Sequence, residues 1–218
     1  MNGIVLVIFI FLLAVVIRVS KIISLIQDLK SAQLRIRQLN FLLEGKNKQM
    51  TLLTNLFLQA STPQPKESRI NQLLDDISQI LQWKMSAFWE FNEKGQFLEF
   101  KYHRGLSSEY LLAMENLLHN KIPVGGFGSG RSISTKQPVV VNNWLKDPQL
   151  KGVEFLSQAG NIHSFAAFPV ATNAKTYGTL HLYAPQINEF KLNEVQLFTT
   201  VANSLAVILE NDDKKAVV

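Results

Sequence analysis

Residues 125–132 read Gly-Gly-Phe-Gly-Ser-Gly-Arg-Ser (GGFGSGRS), one substitution away from the phosphate-binding pattern G-x-x-x-x-G-K-[ST]. Gly125 and Gly130 bracket four residues and Ser132 takes the hydroxyl position; only Arg131 stands where the pattern needs Lys. A true phosphate loop would place the chain among parallel α/β nucleotide hydrolases, and a glycine-rich turn would not. The flanks settle it. A phosphate loop needs a buried parallel strand before it and a helix N-terminus after it. Here Asn120-Lys121-Ile122-Pro123-Val124 precedes, short and interrupted by proline, and Pro138 leaves room for about one helical turn afterwards. Arg does not replace the compact ammonium that reaches the terminal phosphates. Val139-Val140-Val141 ends in Asn142, so no strand-end Asp offers a Mg²⁺ partner. The stretch is read as a turn.

The segments on both sides of this turn pair as hairpins. Met85–Phe91 and Phe97–His103 flank the turn Asn92-Glu93-Lys94-Gly95, and Leu98, Phe100 and Tyr102 alternate with Glu99, Lys101 and His103. His163–Val170 and Tyr177–Ala184 form a second strand pair across a polar turn. Helical spacing predicts one helix after a Ser68 cap through Ile70, Leu73, Leu74, Ile77, Ile80 and Leu81. Further helices are expected over Leu106–Asn120, near Val153–Ala159, and over Leu192–Glu210. Adjacent antiparallel hairpins with helices before and after them define an α+β class: an antiparallel sheet flanked by helices.

The N-terminal third differs in kind. Met1–Ile17 carries no charged side chain. Seventeen helical residues span about 25 Å, and Arg18 can snorkel while Val19, Ile22 and Ile23 extend the apolar face. A secretory signal would carry a basic residue ahead of the run and a small-x-small cleavage site; neither occurs, so an uncleaved anchor is read over 1–21. Arg18, Lys21, Lys30, Arg35 and Arg37 follow the span and none precede it. The positive-inside rule then expects a single-pass protein of the inner or plasma membrane with its C-terminal bulk cytoplasmic.

From Ile22 a seven-residue frame continues. Its a positions are Ile22, Leu29, Ile36, Leu43, Met50 and Phe57; its d positions are Leu25, Ala32, Leu39, Lys46, Leu53 and Ala60. All but Lys46 are apolar, which predicts a coiled-coil stalk over 22–60 and a parallel homodimer. Ile22, Leu25, Leu29, Ile36, Leu39, Leu43, Met50, Leu53 and Phe57 are the expected dimerisation residues. At Gly45-Lys46 the ammonium can reach water and Gly costs about 1 kcal/mol of helix propensity; a hinge is the alternative reading. Pro63 and Pro65 then end the helix in a linker over 61–68, leaving a globular domain over 69–210 and a tail over 211–218.

Charge narrows the partners. The net charge is +5, and residues 1–68 alone hold eight basic and three acidic side chains. The excess therefore lies beside the hydrophobic segment rather than on the globular part, and nucleic acid is not expected as a partner. There are no cysteines, which removes disulfides, thiol nucleophiles and thiolate metal ligands. The four histidines, His103, His119, His163 and His181, show no paired ligand spacing, so no metal site is expected. No Ser–His–Asp order or carboxylate pair stands out, and no catalytic residue is assigned.

Several motifs together resemble the GAF domain family over about 68–210. Gly126–Ser132, followed by Thr135-Lys136-Gln137-Pro138-Val139-Val140-Val141-Asn142, looks like the family's glycine segment. Ser164–Val170 is similar to its S-x-h-x-h-P-h strand, and Gly178–Tyr183 to the strand after it. Phe190, Glu194, Leu197 and Ala202 resemble its closing helix. The resemblance implies a non-enzymatic regulatory module that binds a small ligand or dimerises beside a kinase, cyclase or phosphodiesterase. It also implies that a thioether-linked bilin and the methionine-sulfoxide reductase branch are excluded, since both need Cys; the ligand is otherwise unnamed. Asn142 or Asn143 stands where the family has Asp.

The expected ligand residues are Phe127, Ser129, Arg131, Asn142, Trp144, Ser164, Phe168, His181 and Tyr183, under a mobile glycine turn. Eight residues follow the last predicted helix, so output is expected from a separate protein such as a kinase or cyclase. Two functions follow: a membrane-tethered sensor, or a scaffold whose pocket is filled by its own side chains. A hollow pocket among Phe127, Ser129, Trp144, Phe168 and Tyr183 would favour the first.

Overall fold

The computed structural model describes residues 2–61 and 64–216. It divides into two compact units, Met1–Asn47 and Lys48–Val218. Helix α1 (Asn2–Ala60) is unbroken through Gly45 and Lys46. Its apolar beginning is long and hydrophobic enough to cross a membrane by length and composition. Ile22, Leu25, Leu29, Ile36, Leu39, Leu43, Met50 and Phe57 are all exposed on the single chain, and Leu53 is half-buried.

The second unit begins inside α1, earlier than the linker at 61–68. Leu52 and Leu56, on a different helix face from Met50 and Phe57, are buried in its core. Residues 48–60 therefore contribute to the domain as well as extending the heptad pattern. Helix α2 (Lys66–Ile80) starts before Ser68, on Pro65, without a side-chain cap. Proline just outside the first turn is preorganised for this entry and supplies no amide that needs a partner. The helix buries Ile70, Leu73, Leu74 and Ile77.

Six strands follow the expected antiparallel plan: β1 (Met85–Asn92), β2 (Phe97–Arg104), β3 (Lys121–Pro123), β4 (Val139–Val141), β5 (Ser164–Ala171) and β6 (Thr176–Ala184). Their order is β3-β2-β1-β6-β5-β4, with every neighbouring pair antiparallel. Both edge strands are three residues long. Helices α3 (Ser108–Leu118), α4 (Phe127–Thr135) and α5 (Glu154–Gly160) fall between strands, and α6 (Leu192–Ala216) closes the fold. Ser107 caps α3 by accepting from Tyr110 N at 3.2 Å.

Successive strand residues point to opposite faces, and that period sorts the core into two clusters. On one face Phe88, Ala166, Phe168, Leu180 and Leu182 pack with α2, α6 and the end of α1. On the other, Ala87, Trp89, Phe165 and Tyr183 pack with α3, α5 and the Trp144 segment.

Two predictions need correction. Residues 211–216 of the expected tail are helical, because α6 runs on to Ala216, and 217–218 lie outside the described residues. Its extension is held by contacts distant in sequence: Asp212 pairs with Arg69, and Asp213 pairs with Lys175 and accepts from Tyr177 Oη at 3.0 Å. The glycine stretch is also not a mobile turn: from Phe127 onward it forms α4, with Gly128, Ser129, Gly130 and Ser132 buried.

A candidate ligand cavity behind helix α4

The sequence Gly125–Ser132 folds back on itself. Gly126 N donates to Pro123 O at 2.9 Å, Gly125 N to Gly130 O at 2.9 Å, and Gly130 N to Gly126 O at 2.8 Å. Backbone amides that would cradle a phosphate are thereby spent inside the turn and the helix. The glycines serve close approach instead. A Cβ on Gly128 would lie 2.2 Å from the Phe165 ring, and one on Gly130 would lie 2.1 Å from Pro123 O. Two bare faces let α4 sit directly on β5 and on the end of β3.

Phe127, first in α4, holds φ +46°. A bulky residue in the left-handed region is strained by about 1–3 kcal/mol and persists only where its surroundings impose it. Arg131 is part of what imposes it: its Nε donates to Phe127 O at 2.7 Å, and its NH2 group donates to Asp147 Oδ2 at 3.0 Å. Asp147 also accepts from Gln149 N at 2.9 Å. Arg131 is thus a strut joining α4 to the 144–150 segment, and its charge is already balanced by Asp147.

Between α4 and the sheet lies a cavity of about 20 Å³, room for roughly one water molecule. Its walls are largely aromatic: Trp89, Tyr110, Phe127, Trp144, Phe165 and Tyr183, with Ser129 and His181 as polar members. Ser129 Oγ and His181 Nε2 are 2.8 Å apart, and the imidazole stacks on Phe165 at 5.6 Å between centroids. Trp89 Nε1 donates to Tyr183 Oη at 3.3 Å. Among the described residues no charged side chain lines the cavity.

Burial lowers the His181 pKa to about 3 and pushes that of Tyr183 up to about 12. Both are neutral at physiological pH. His181 has consequences for stability, because its folded pKa lies below the unfolded value of about 6.5. The unfolded chain therefore binds a proton that the fold refuses, and stability falls as pH drops from about 6.5 toward 3, by up to about 1.4 kcal/mol per unit from this group. Thermal unfolding from pH 7 to 5 is expected to show this slope in the native chain and to lose its share in His181→Asn. An unchanged slope in the variant refutes the assignment.

Two polar atoms in these walls have no hydrogen-bond partner among the described residues: Trp144 Nε1 and His181 Nδ1. Their side chains are 4% and 3% exposed. Buried polar groups are normally paired, and leaving one unpaired costs about 1–3 kcal/mol. A group with an acceptor for the indole N–H and a complement for the imidazole would satisfy both.

Of the residues expected from sequence, Phe127, Ser129, Trp144, His181 and Tyr183 meet here. The others are elsewhere. Phe168 lies in the opposite core cluster, since Phe168 pairs with Leu180 while Phe165 pairs with Tyr183. Ser164 Oγ donates to Gln186 O at 2.6 Å. Asn142 is exposed, and its carbonyl accepts from Asn188 N at 2.8 Å. Sequence reasoning missed Phe165, Trp89 and Tyr110. Strand alternation puts Phe165 and Phe168 on opposite faces, and the register of β5 against β6 decides which of them meets Tyr183.

The GAF domain family matches residues 65–210. The chain belongs to that family. None of the curated proteins matches it in sequence. Among solved structures, the GAF domain of a Coxiella burnetii phosphoenolpyruvate-protein phosphotransferase is similar with a TM-score of 0.63 and 15% identity, covering 78% of this chain and 98% of its own. A domain of a putative two-component sensor histidine kinase from Sinorhizobium meliloti gives 0.56 and 19%, covering 71% and 96%. Free methionine-R-sulfoxide reductase from Neisseria meningitidis, solved with its substrate, gives 0.64 and 13%, covering 77% and 91%.

That last neighbour corrects the expectation of a non-enzymatic module. The fold is shared with named reductases, one from Staphylococcus aureus among them, so membership of the fold does not exclude catalysis. At these identities the likeness carries the fold and no reaction.

Proposed function

We propose that this chain is a membrane-tethered regulatory protein whose GAF domain takes a small ligand into the cavity behind α4. Occupancy is passed on by a homodimer to a separate output protein, such as a kinase or cyclase, on the cytoplasmic side. One observation carries the reading: Trp144 Nε1 and His181 Nδ1, both buried and unpartnered among the described residues, line the same aromatic cavity. Uncharged walls and a neutral imidazole favour an uncharged, planar ligand with an acceptor for the indole. Cyclic nucleotides fit poorly, since Arg131 is committed to Asp147.

The cavity must enlarge to admit such a ligand. Phe127 is the wall best placed to move, because relaxing its φ of +46° recovers strain. The apolar start of α1, followed by basic residues, supports tethering. The exposed seam from Ile22 to Phe57 supports pairing of two copies.

Native mass spectrometry of the full chain released from detergent micelles tests this. A co-purified neutral small molecule is expected, and Trp144→Phe, which keeps the ring but removes the N–H, should reduce its retention about tenfold. A second reading, an assembly scaffold whose pocket its own side chains fill, is favoured by the 20 Å³ volume. It wins if no bound mass appears and a panel of neutral planar compounds leaves the melting temperature unchanged.

A further inference from the structure

Far from the aromatic cavity, beside the end of α1 and the start of α2, lies a groove of about 290 Å³. Its lining is mostly polar: Asn55, Gln59, Gln64, Ser68, Gln72 and Asp76, with Leu58 as one apolar wall. Asp76 is the acid among them, and it is only 6% exposed. Its oxygens accept from two neutral amides, Gln72 Nε2 at 3.0 Å and Gln59 Nε2 at 3.4 Å. No described cationic side chain forms an ion pair with it; the nearby cations are committed to other acids, Arg69 to Asp212 and Arg104 to Asp75.

A buried carboxylate without a counter-charge is costly, and proteins ordinarily pair such a group. The groove supplies the space from which a counter-charge could come. We propose that it is a binding site for a small organic monocation carrying an ammonium or guanidinium group. The carboxylate of Asp76 takes the charge. The side-chain oxygens of Asn55, Gln64 and Ser68 can accept the remaining N–H donors, while Leu58 packs against a short alkyl stem. One carboxylate matches one positive charge. A divalent metal would want several anionic oxygens, and no group of three such ligands occurs among the described residues. The volume is close to the lower end for small-molecule sites, roughly 300 Å³, which limits the ligand to a few heavy atoms beyond its cationic head.

The site touches the last turns of α1 and the first half of α2, all within the second unit. It is independent of the aromatic cavity, and either site can fail without the other.

Titration calorimetry of the full chain in detergent micelles, with n-butylammonium and n-butylguanidinium as probes and n-butanol as the uncharged control, tests the proposal. Saturable binding of at least one cation and none of butanol is expected. Asp76→Asn, which keeps the shape but removes the charge and leaves one acceptor oxygen, so that one of the Gln59 and Gln72 amides must turn over to meet the new NH2, should weaken that binding tenfold or more. Ser68→Trp, at an exposed position, should block the groove while leaving the melting temperature unchanged. Absence of cation binding, or equal binding by Asp76→Asn, overturns the assignment.

Discussion

Arg69→Met is expected to destabilise the domain by about 3–5 kcal/mol, the usual cost of removing one partner from a buried charge pair. Arg69 is 1% exposed, and its guanidinium meets Asp212 of α6 through two bonds, one of them NH2 to Oδ1 at 3.0 Å. A third bond goes from NH1 to Gln59 O, one of the carbonyls in the last turn of α1 that has no partner within its helix. A single side chain on α2 thus ties the end of α1 to the end of α6. Removing it strands a carboxylate that is itself largely shielded. The melting temperature of the full chain in detergent micelles should drop on the order of 10 °C, taking about 2–4 °C per kcal/mol for a chain of this size. The double variant Arg69→Met with Asp212→Leu should recover most of the loss, because an apolar pair of similar volume often replaces a buried ion pair without penalty. A double variant no better than the single one would show that the cost lies in packing or in the α1 carbonyl rather than in the orphaned charge.

Gly130→Ala is the second large effect, and its sign is the informative part. In an exposed helix interior this change stabilises by about 1 kcal/mol. Here the new methyl would sit 2.1 Å from Pro123 O and 3.0 Å from Gly125 N. Both are backbone atoms, and Pro123 O is already engaged by Gly126 N. They cannot swing aside as a side-chain tip would. The helix must lift from β3, and a loss of about 3 kcal/mol is expected, at the upper end for overpacking. Urea unfolding of the full chain measures it. Stabilisation instead of loss would mean that α4 is free of β3 in solution.

The sheet and its helices were legible because they rest on local patterns. Alternation in Leu98, Phe100 and Tyr102, and the polar turns at Asn92–Gly95 and Thr172–Lys175, are short-range signals. The glycine stretch was harder. Glycine reads as a turn when it supplies backbone freedom, whereas Gly128 and Gly130 lie inside a helix and supply only the absence of a side chain. That reason resides in Phe165 and Pro123, which are remote or unremarkable in sequence. The candidate site was half legible for a related cause. His181 and Tyr183 share a face by period two, but choosing between Phe165 and Phe168 requires the register of β5 against β6, which no single strand encodes. The helical extension over 211–216 was hidden too, since its anchors on Arg69, Lys175 and Tyr177 are long-range.

The three-residue edge strands bear on how copies of this domain can meet. A sheet rim offers unpaired amides and carbonyls to any other rim, and long bare rims invite fibrous aggregation. Here one rim is Lys121–Pro123 and the other is Val139–Val141, directly after Pro138. Neither is long enough to template a foreign strand, and proline withholds an amide at each. At β3 and β4 themselves, addition of a foreign strand is therefore disfavoured by length and by proline.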